Sequence, residues 1–183
     1  MPPPANPSPP CIGFLTVLHE ATGYLGGYLV TNCWGRPLEF RLSTAVQPNR
    51  VHHILYGGTL KPYVCADLIG KALLDRTTTA VQLVVTDTEP VLDLRLKITA
   101  PVVWLAAADD PLAEALGAAG ACVRPAADGR GPAFCHPRSP GAVAPVRELL
   151  DRLAECGVDL AEPLGRIREA IGEARKLGVM KSA

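Results

Sequence analysis

The sequence predicts an α+β fold: an antiparallel sheet of about five strands with helices packed on one face, plus a C-terminal helical hairpin. Two observations lead to this prediction. Strand-like segments stand in two groups, before and after a helical segment, and this order favours an antiparallel sheet over repeated strand–helix–strand units. The end of the chain carries apolar residues at helical spacing, which is typical of amphipathic helices.

The first group contains three segments rich in Val, Leu, Thr and aromatic residues. A turn is predicted over 31–37, because Asn and Gly accept positive φ and Pro cannot donate to a strand ladder. In the last segment Leu38, Phe40 and Leu42 alternate with polar residues, as in a half-buried strand. We therefore expect a hairpin whose one face meets the core and whose other face is left for solvent or a partner. The three segments are 12–20, 26–32 and 37–43.

Two helices are predicted between the groups of strands. The first covers 49–56 and is stopped by Gly57 and Gly58, because paired glycines favour non-helical backbone. The second starts after Thr59, and its apolar side chains recur every four residues. That apolar stripe is expected to lie on the sheet.

A second hairpin is predicted after the helices. The segments 80–87 and 91–97 both have strand character, and residues 88–90 between them are typical of a turn. The segment 101–107 carries no polar residue, which predicts one more strand, buried on both faces. A brief helix is expected after Asp110, which can cap it, with Pro111 at its first position.

The chain divides into four predicted regions. Prolines dominate the first, and the third is rich in Pro and Gly, as linkers and surface loops are. In the fourth, apolar residues at helical spacing indicate two helices that pair with each other. The regions are a disordered Pro-rich arm over 1–10, an α+β domain over 11–120, a linker or loop over 121–145 and a helical hairpin over 146–178.

Composition narrows the classes of function. The 18 basic and 18 acidic side chains cancel, so no strong field draws the chain to nucleic acid or to an anionic membrane. The longest apolar run, 102–108, is far shorter than the roughly 20 residues that a bilayer-spanning helix needs. Residues 1–10 lack the charge and the apolar stretch of a secretory signal, which predicts a cytoplasmic protein.

The six cysteines are predicted to be reduced and mostly buried, because an adequate core needs no disulfide framework. No CxxC pair is present, so we predict no metal and no cofactor. The chain also lacks HExxH, GxSxG and P-loop patterns, and we name no catalytic residue. An alternative hypothesis is a small enzyme with a Cys nucleophile and a His base. Its candidates are Cys33 and Cys135 with His19, His52, His53 or His136.

The predicted contact site lies on the first hairpin. Trp34 stands at the loop tip beside Gly35, where an aromatic side chain can anchor a partner. Arg36 and Arg41 could fork onto a carboxylate or phosphate, which is a second alternative function, or one of them could simply pair with a glutamate. The predicted contact residues are Asn32, Trp34, Arg36, Glu39 and Arg41.

A well-patterned fold without catalytic spacing favours a non-catalytic interaction or regulatory protein. The order of two strands, a helix and two further strands resembles the small regulatory domains of the roadblock or profilin-like type. That resemblance implies assembly through sheet edges and helices. We expect contacts through the 23–43 hairpin and the C-terminal helical hairpin, with a protein partner or by self-association as a homo-oligomer. This expectation assumes that helices seal only one face of the sheet.

Overall fold

The computed structural model describes residues 10–107, 109–124 and 131–178. Within these residues the chain forms one seven-stranded sheet in the order β3-β2-β1-β4-β5-β7-β6. The strands are β1 Ile12–Glu20, β2 Gly23–Thr31, β3 Pro37–Leu42, β4 Leu83–Thr86, β5 Val102–Leu105, β6 Cys122–Arg124 and β7 Ala133–Cys135.

Five helices accompany the sheet. One of them, α2, spans 60–75 and has π-helical hydrogen bonding over Tyr63–Lys71. A 3-10 helix, Glu89–Leu96, lies between β4 and β5. The other helices are α1 Arg50–Tyr56, α3 Pro111–Ala118, α4 Val143–Glu155 and α5 Glu162–Lys176. In the part of the chain that the structure describes, no helix has the length and apolar character to cross a membrane.

The α+β class is confirmed, but the predicted sheet is wrong in strand number and direction. Strands β1, β2 and β3 form an antiparallel meander, whereas β4 lies parallel to β1 and β5 parallel to β4. The sheet is therefore mixed. Helix α2 carries the chain across one face of the sheet, and the chain then enters β4 in the same direction as β1.

Helices cover both faces of the sheet, so the prediction of a single covered face is wrong. On one face, Leu15 and Val17 of β1 pack with α2 and the 3-10 helix. On the opposite face, Ile12 and Phe14 of the same strand pack with α4 and α5. A strand that is apolar at both alternating sets of positions has two buried faces. The continuous apolar run at the start of β1 is the sequence signal for this arrangement.

Two adjacent glycines in β2 allow this double coverage. A Cβ atom on Gly26 would lie 2.2 Å from Cγ2 of Ile69 in α2, and one on Gly27 would lie 2.4 Å from Cγ2 of Ile167 in α5. Neighbouring residues of a strand face opposite sides, so each glycine admits one helix. The two helices approach the strand more closely than any larger residue would permit.

The second predicted hairpin is absent, because 89–96 is a 3-10 helix and not a strand. Val91 and Leu92 are both buried although they are consecutive, an arrangement that a strand with one buried face cannot produce. Pro90 stands in the first turn of the helix, where its missing N–H is not needed. The apolar alternation of this segment is compatible with both structures, and only the packing distinguishes them.

The predicted linker over 121–145 contains β6 and β7, which extend the sheet beyond β5. Residues 125–130 of that region, and residues 1–9 of the predicted Pro-rich arm, lie outside the described residues. The two predicted C-terminal helices are present as α4 and α5. Their apolar stripes are buried against the sheet at Val146, Leu149, Leu150 and Leu153 of α4 and at Leu164, Ile167 and Ile171 of α5.

Candidate functional site

With both faces of the sheet covered, its uncovered edge is the best candidate for contact. Strand β3 lies at one end of the strand order and pairs only with β2. The strand at the other end, β6, has three residues, compared with six in β3. Edge strands present unpaired N–H and C=O groups that can pair with another chain. Within the described residues, β3 is therefore the longer of the two exposed edges.

Three large apolar side chains are exposed along this edge. Trp34 is 75% exposed, Leu38 is 47% exposed and Phe40 is 40% exposed. Leu42, on the same side of the strand, is half-buried beside Gly27 and Ile171 and continues the apolar row into the core. We call the surface formed by Trp34, Leu38 and Phe40 the hairpin edge.

Asn32 builds the turn that presents Trp34. Its side-chain oxygen accepts hydrogen bonds from the backbone N–H of Trp34 and of Arg36, both at 3.0 Å. Gly35 has φ of 75°, which favours glycine, and its carbonyl accepts a hydrogen bond of 3.0 Å from Arg166 of α5. The predicted contact residue Asn32 therefore supports the turn, and Trp34 projects from a well-anchored loop.

Glu39 and Arg41 pair with each other. The Glu39 carboxylate accepts from Arg41 Nη2 at 2.6 Å and from Arg41 Nε at 3.0 Å. It also accepts from the backbone N–H of Thr78 and of Thr79, each at 3.1 Å. Glu39 thus fastens the segment before β4 to the edge strand.

These contacts change the acidity of Glu39. The hydrogen bond from Arg41 first, and then those from Thr79 and Thr78, lower the pKa of Glu39 to about 2, against the opposing effect of desolvation. The carboxylate accordingly stays charged over the whole ordinary pH range.

We expect a Glu39→Gln substitution to destabilise the protein at neutral pH but not in acid. The lowered pKa means that the ionised carboxylate contributes stability above its unfolded-state pKa, about 4.3. That contribution is lost as the pH falls through about 2. Urea unfolding midpoints at pH 7, 4, 3 and 2 should therefore converge for the two proteins. Glu148→Gln on the exposed side of α4 is the control, and a difference that persists at pH 2 would contradict the assignment.

The two arginines do not form a common anion site. Arg41 is held by Glu39, whereas the Arg36 guanidinium has no hydrogen bond or ion pair within the described residues. Arg36 and Arg41 are five positions apart, which corresponds to at most about 17 Å of extended chain. A phosphate or carboxylate that bound both side chains would have to compete with the Glu39 carboxylate for Arg41.

The cysteine and histidine candidates do not form a catalytic pair. Cys135 is buried, and burial raises the pKa of its thiol to about 11, whereas a nucleophilic cysteine needs a lowered pKa. The neighbouring His136 directs Nε2 to Asp93 at 3.1 Å and accepts a hydrogen bond from the backbone N–H of Arg138 through Nδ1. Cys33 is buried beside the Trp34 turn.

Two of the three remaining histidines, His19 and His52, have local roles. His19, near the end of β1, stacks on Tyr24, near the start of β2, with ring centroids 4.1 Å apart. The Cys33 turn lies at the other end of β2. His52 closes the N-terminus of α1 with Asn49. Among residues 10–107, 109–124 and 131–178, no three His, Cys, Asp or Glu side chains cluster closely enough to hold a metal ion.

The sequence analysis did not identify a crevice at the carboxyl ends of β4 and β5. It has a volume of about 430 Å³, and Asp87 and Arg168 lie on its wall as an ion pair. Asp87 also accepts a hydrogen bond of 2.9 Å from the buried Thr16 hydroxyl. Crevices at this position often bind ligands in open sheets with parallel strands. The sequence contained a signal for this crevice, because the acidic residue Asp87 follows directly after the buried strand β4.

Helix α1 presents a separate apolar surface. None of its residues is buried, and Val51, Ile54 and Leu55 are all exposed. The helix follows Val46, which pairs with Tyr24 at the start of β2, whereas Trp34 follows the end of β2. The length of β2 therefore separates α1 from the Trp34 turn.

Comparison with known proteins assigns no family to the chain. No protein-family model matches the chain, and a search of curated proteins finds none similar to it in sequence. Within the residues described, the structure defines an α+β protein with a mixed sheet, helices on both faces and the exposed edge strand β3.

Proposed function

We propose that the chain is a non-catalytic interaction module that binds a protein partner by adding a strand to the outer edge of β3. The observation that carries the proposal is the hairpin edge, where exposed apolar side chains accompany the unpaired outer edge of β3. In strand addition, backbone hydrogen bonds give affinity and alternate side chains give specificity. Both components are present along β3.

The direction of the backbone groups in β3 supports this mode of binding. The N–H of Ser43 donates to the carbonyl of Gly26 at 2.8 Å, so Ser43 bonds toward β2. In an antiparallel pair this orientation alternates, so Glu39 and Arg41 also bond toward β2. The N–H and C=O of Phe40 and Leu42 therefore point outward, away from the sheet.

Trp34 is suited to anchor the partner beyond the end of the strand. Tryptophan is among the residues that contribute most to interface affinity when they become buried. A fixed turn reduces the entropy lost on binding, and the hydrogen bonds of Asn32 and Arg166 fix this one. The two C-terminal helices, α4 and α5, support the contact surface, since their apolar stripes already face the sheet.

The other proposed functions have weaker support. The enzyme hypothesis requires a reactive thiol beside a base, and the burial of Cys135 counts against one. The anion-binding hypothesis requires that Arg36 and Arg41 act together, and the Glu39–Arg41 pair counts against that. All six cysteines are free, which fits a reducing compartment, and we place the proposed module in the cytoplasm.

Photocrosslinking in the native cell tests the proposed function. The residue p-benzoylphenylalanine is introduced at position 40, and the matched control carries it at Leu112, which is similarly exposed on α3. We expect covalent adducts from position 40 and none of the same mass from position 112. The absence of any adduct from position 40, in a chain that remains folded, would overturn the proposal.

A further inference from the structure

We infer that the strand added to β3 is β3 of a second copy of this chain, paired antiparallel about a twofold axis at Phe40. This inference rests on the proposed function and names the partner. A twofold interface is isologous, so the same surface must complement itself. The edge strand satisfies that condition in its side chains, its charges and its backbone.

The sequence of β3 is self-complementary about its central aromatic residue. Residues 38–42 read Leu-Glu-Phe-Arg-Leu. In antiparallel pairing about Phe40, this residue lies opposite its own copy and Glu39 lies opposite Arg41 of the second copy. The outer leucines also meet, since Leu38 lies opposite Leu42 of the second copy. Every cross-strand pair is then either apolar with apolar or acidic with basic, and both kinds of pair stabilise sheets.

The backbone geometry permits a twofold axis at this residue. The N–H and C=O of Phe40 point outward, so the two copies of Phe40 can exchange both hydrogen bonds across the axis. Leu42 also points outward and can pair with the strand of the second copy.

The charges select this register among those that the backbone permits. Moving the axis by one residue in either direction places Glu39 opposite Glu39, or Arg41 opposite Arg41. Like charges directly opposite each other destabilise a strand pair. Of these three positions, the axis at Phe40 avoids both conflicts and also places Glu39 opposite Arg41.

Pairing in this register covers the exposed apolar side chains. Phe40 and Leu42 lie on one side of β3, the side on which α5 packs beside Leu42. Residues that lie opposite each other in an antiparallel pair share a face, so the two Phe40 side chains meet on that side. The Glu39 and Arg41 pairs form on the other side, where the Arg41 side chain is 44% exposed.

The edge also contains features that limit its length. Pro37 has no N–H to donate, and the pairing of β2 with β3 is irregular at the step from Val30 to Thr31, which leaves Leu38 as an extra residue. Such features discourage unlimited edge-to-edge association. They are compatible with a closed pair of chains in which the two copies of Phe40 exchange the central hydrogen bonds.

Sedimentation velocity of the full chain over a range of concentrations is the first test. We expect a species of twice 19.3 kDa that dissociates on dilution. Phe40→Lys places two positive charges on the axis. Arg41→Glu places a negative charge opposite Glu39 of the second copy. Each should raise the dissociation constant at least about tenfold, whereas Leu112→Lys on α3 should leave it unchanged. Circular dichroism confirms that each variant is folded. A chain that stays monomeric at all concentrations would overturn the inference.

Disulfide formation tests the register itself. In a Cys156→Ser background, which removes the exposed native thiol, Phe40→Cys should give a 40–40 disulfide between copies on mild oxidation. Opposed Cα atoms about 5.5 Å apart suit such a bond. Leu38→Cys is the matched control, because its two copies would lie about 13 Å apart along the strands. Equal crosslinking at both positions would refute the register.

The outcomes for the inference and for the proposed function can be told apart. If the chain is monomeric in solution but the photocrosslinker at position 40 captures a different protein, self-pairing fails and the interaction module remains. If position 40 captures nothing and the chain is monomeric, both fail. An adduct of twice the chain mass, together with the 40–40 disulfide, supports both.

Discussion

Gly26→Ala and Gly27→Ala should each lower the free energy of unfolding by about 1–3 kcal/mol, the usual range for an overpacked core. The added Cβ atom would stand 2.2 Å from Ile69 in the first variant and 2.4 Å from Ile167 in the second. Both contacts are with the stiff Cγ2 atom of a β-branched residue, so the helix or the strand must shift. Urea unfolding monitored by circular dichroism measures the loss.

Gly172→Ala provides the matched control for both variants. Gly172 lies in α5, and a Cβ atom there would meet no heavy atom within 4 Å. Alanine is a better helix former than glycine, so this change should stabilise the protein by about 0.5–1 kcal/mol. If the strand variants were as stable as the helix variant, the close packing of α2 and α5 on β2 would be wrong.

Asp87→Ala should destabilise the protein by about 1–3 kcal/mol, because it leaves a buried hydroxyl without its partner. The Thr16 side chain is fully buried in β1 and donates to Asp87 at 2.9 Å. Arg168 also pairs with Asp87, but its side chain is half exposed and water can replace the lost carboxylate. The main loss therefore arises from Thr16 and not from the ion pair.

A double-mutant cycle with Thr16→Val separates these contributions. Valine replaces the hydroxyl with a methyl group of similar size, so the Asp87→Ala change should cost less in that background. We expect a coupling free energy of about 1 kcal/mol between the two positions, within the usual range for residues in contact. A parallel cycle of Asp87→Ala with Arg168→Ala should give a smaller value. Equal coupling in both cycles would show that the ion pair matters as much as the hydrogen bond.

Much of the local structure could be predicted from sequence. The alternation of Leu38, Phe40 and Leu42 predicted β3, and the apolar stripes at the end of the chain predicted α4 and α5. The Asn, Gly and Pro of the first turn predicted the hairpin and the exposure of Trp34. These features depend on short-range patterns, and short-range patterns are what a single sequence displays.

The arrangement of these elements could not be predicted in the same way. The parallel pairing of β1 with β4 joins segments about 70 residues apart, and no local pattern specifies it. The 3-10 helix at 89–96 shows the same limit, since its alternation also fits a strand. The prediction of an open sheet face was wrong because α4 and α5 cover that face, and this contact joins segments far apart in the sequence.

The candidate site was only partly accessible to sequence reasoning. Trp34 was identified as an exposed contact residue, and its exposure is observed. Asn32 and Glu39 were assigned to contact, but the structure gives each of them an internal role, in the turn and in fastening Thr78 and Thr79. Polar residues that hold a loop and polar residues that bind a ligand look alike until their partners are known.

The central position of β1 has a consequence for biosynthesis. Its two neighbours are β2, which follows at once, and β4, which is synthesised only after the meander and α2. Until then an emerging chain exposes the edge of β1 that later pairs with β4. Incomplete chains with such exposed edges are prone to aggregate. Ribosome-bound intermediates that end before residue 83 should therefore depend on chaperones. The face of β1 that carries Ile12 and Phe14 stays uncovered until α5 has left the exit tunnel.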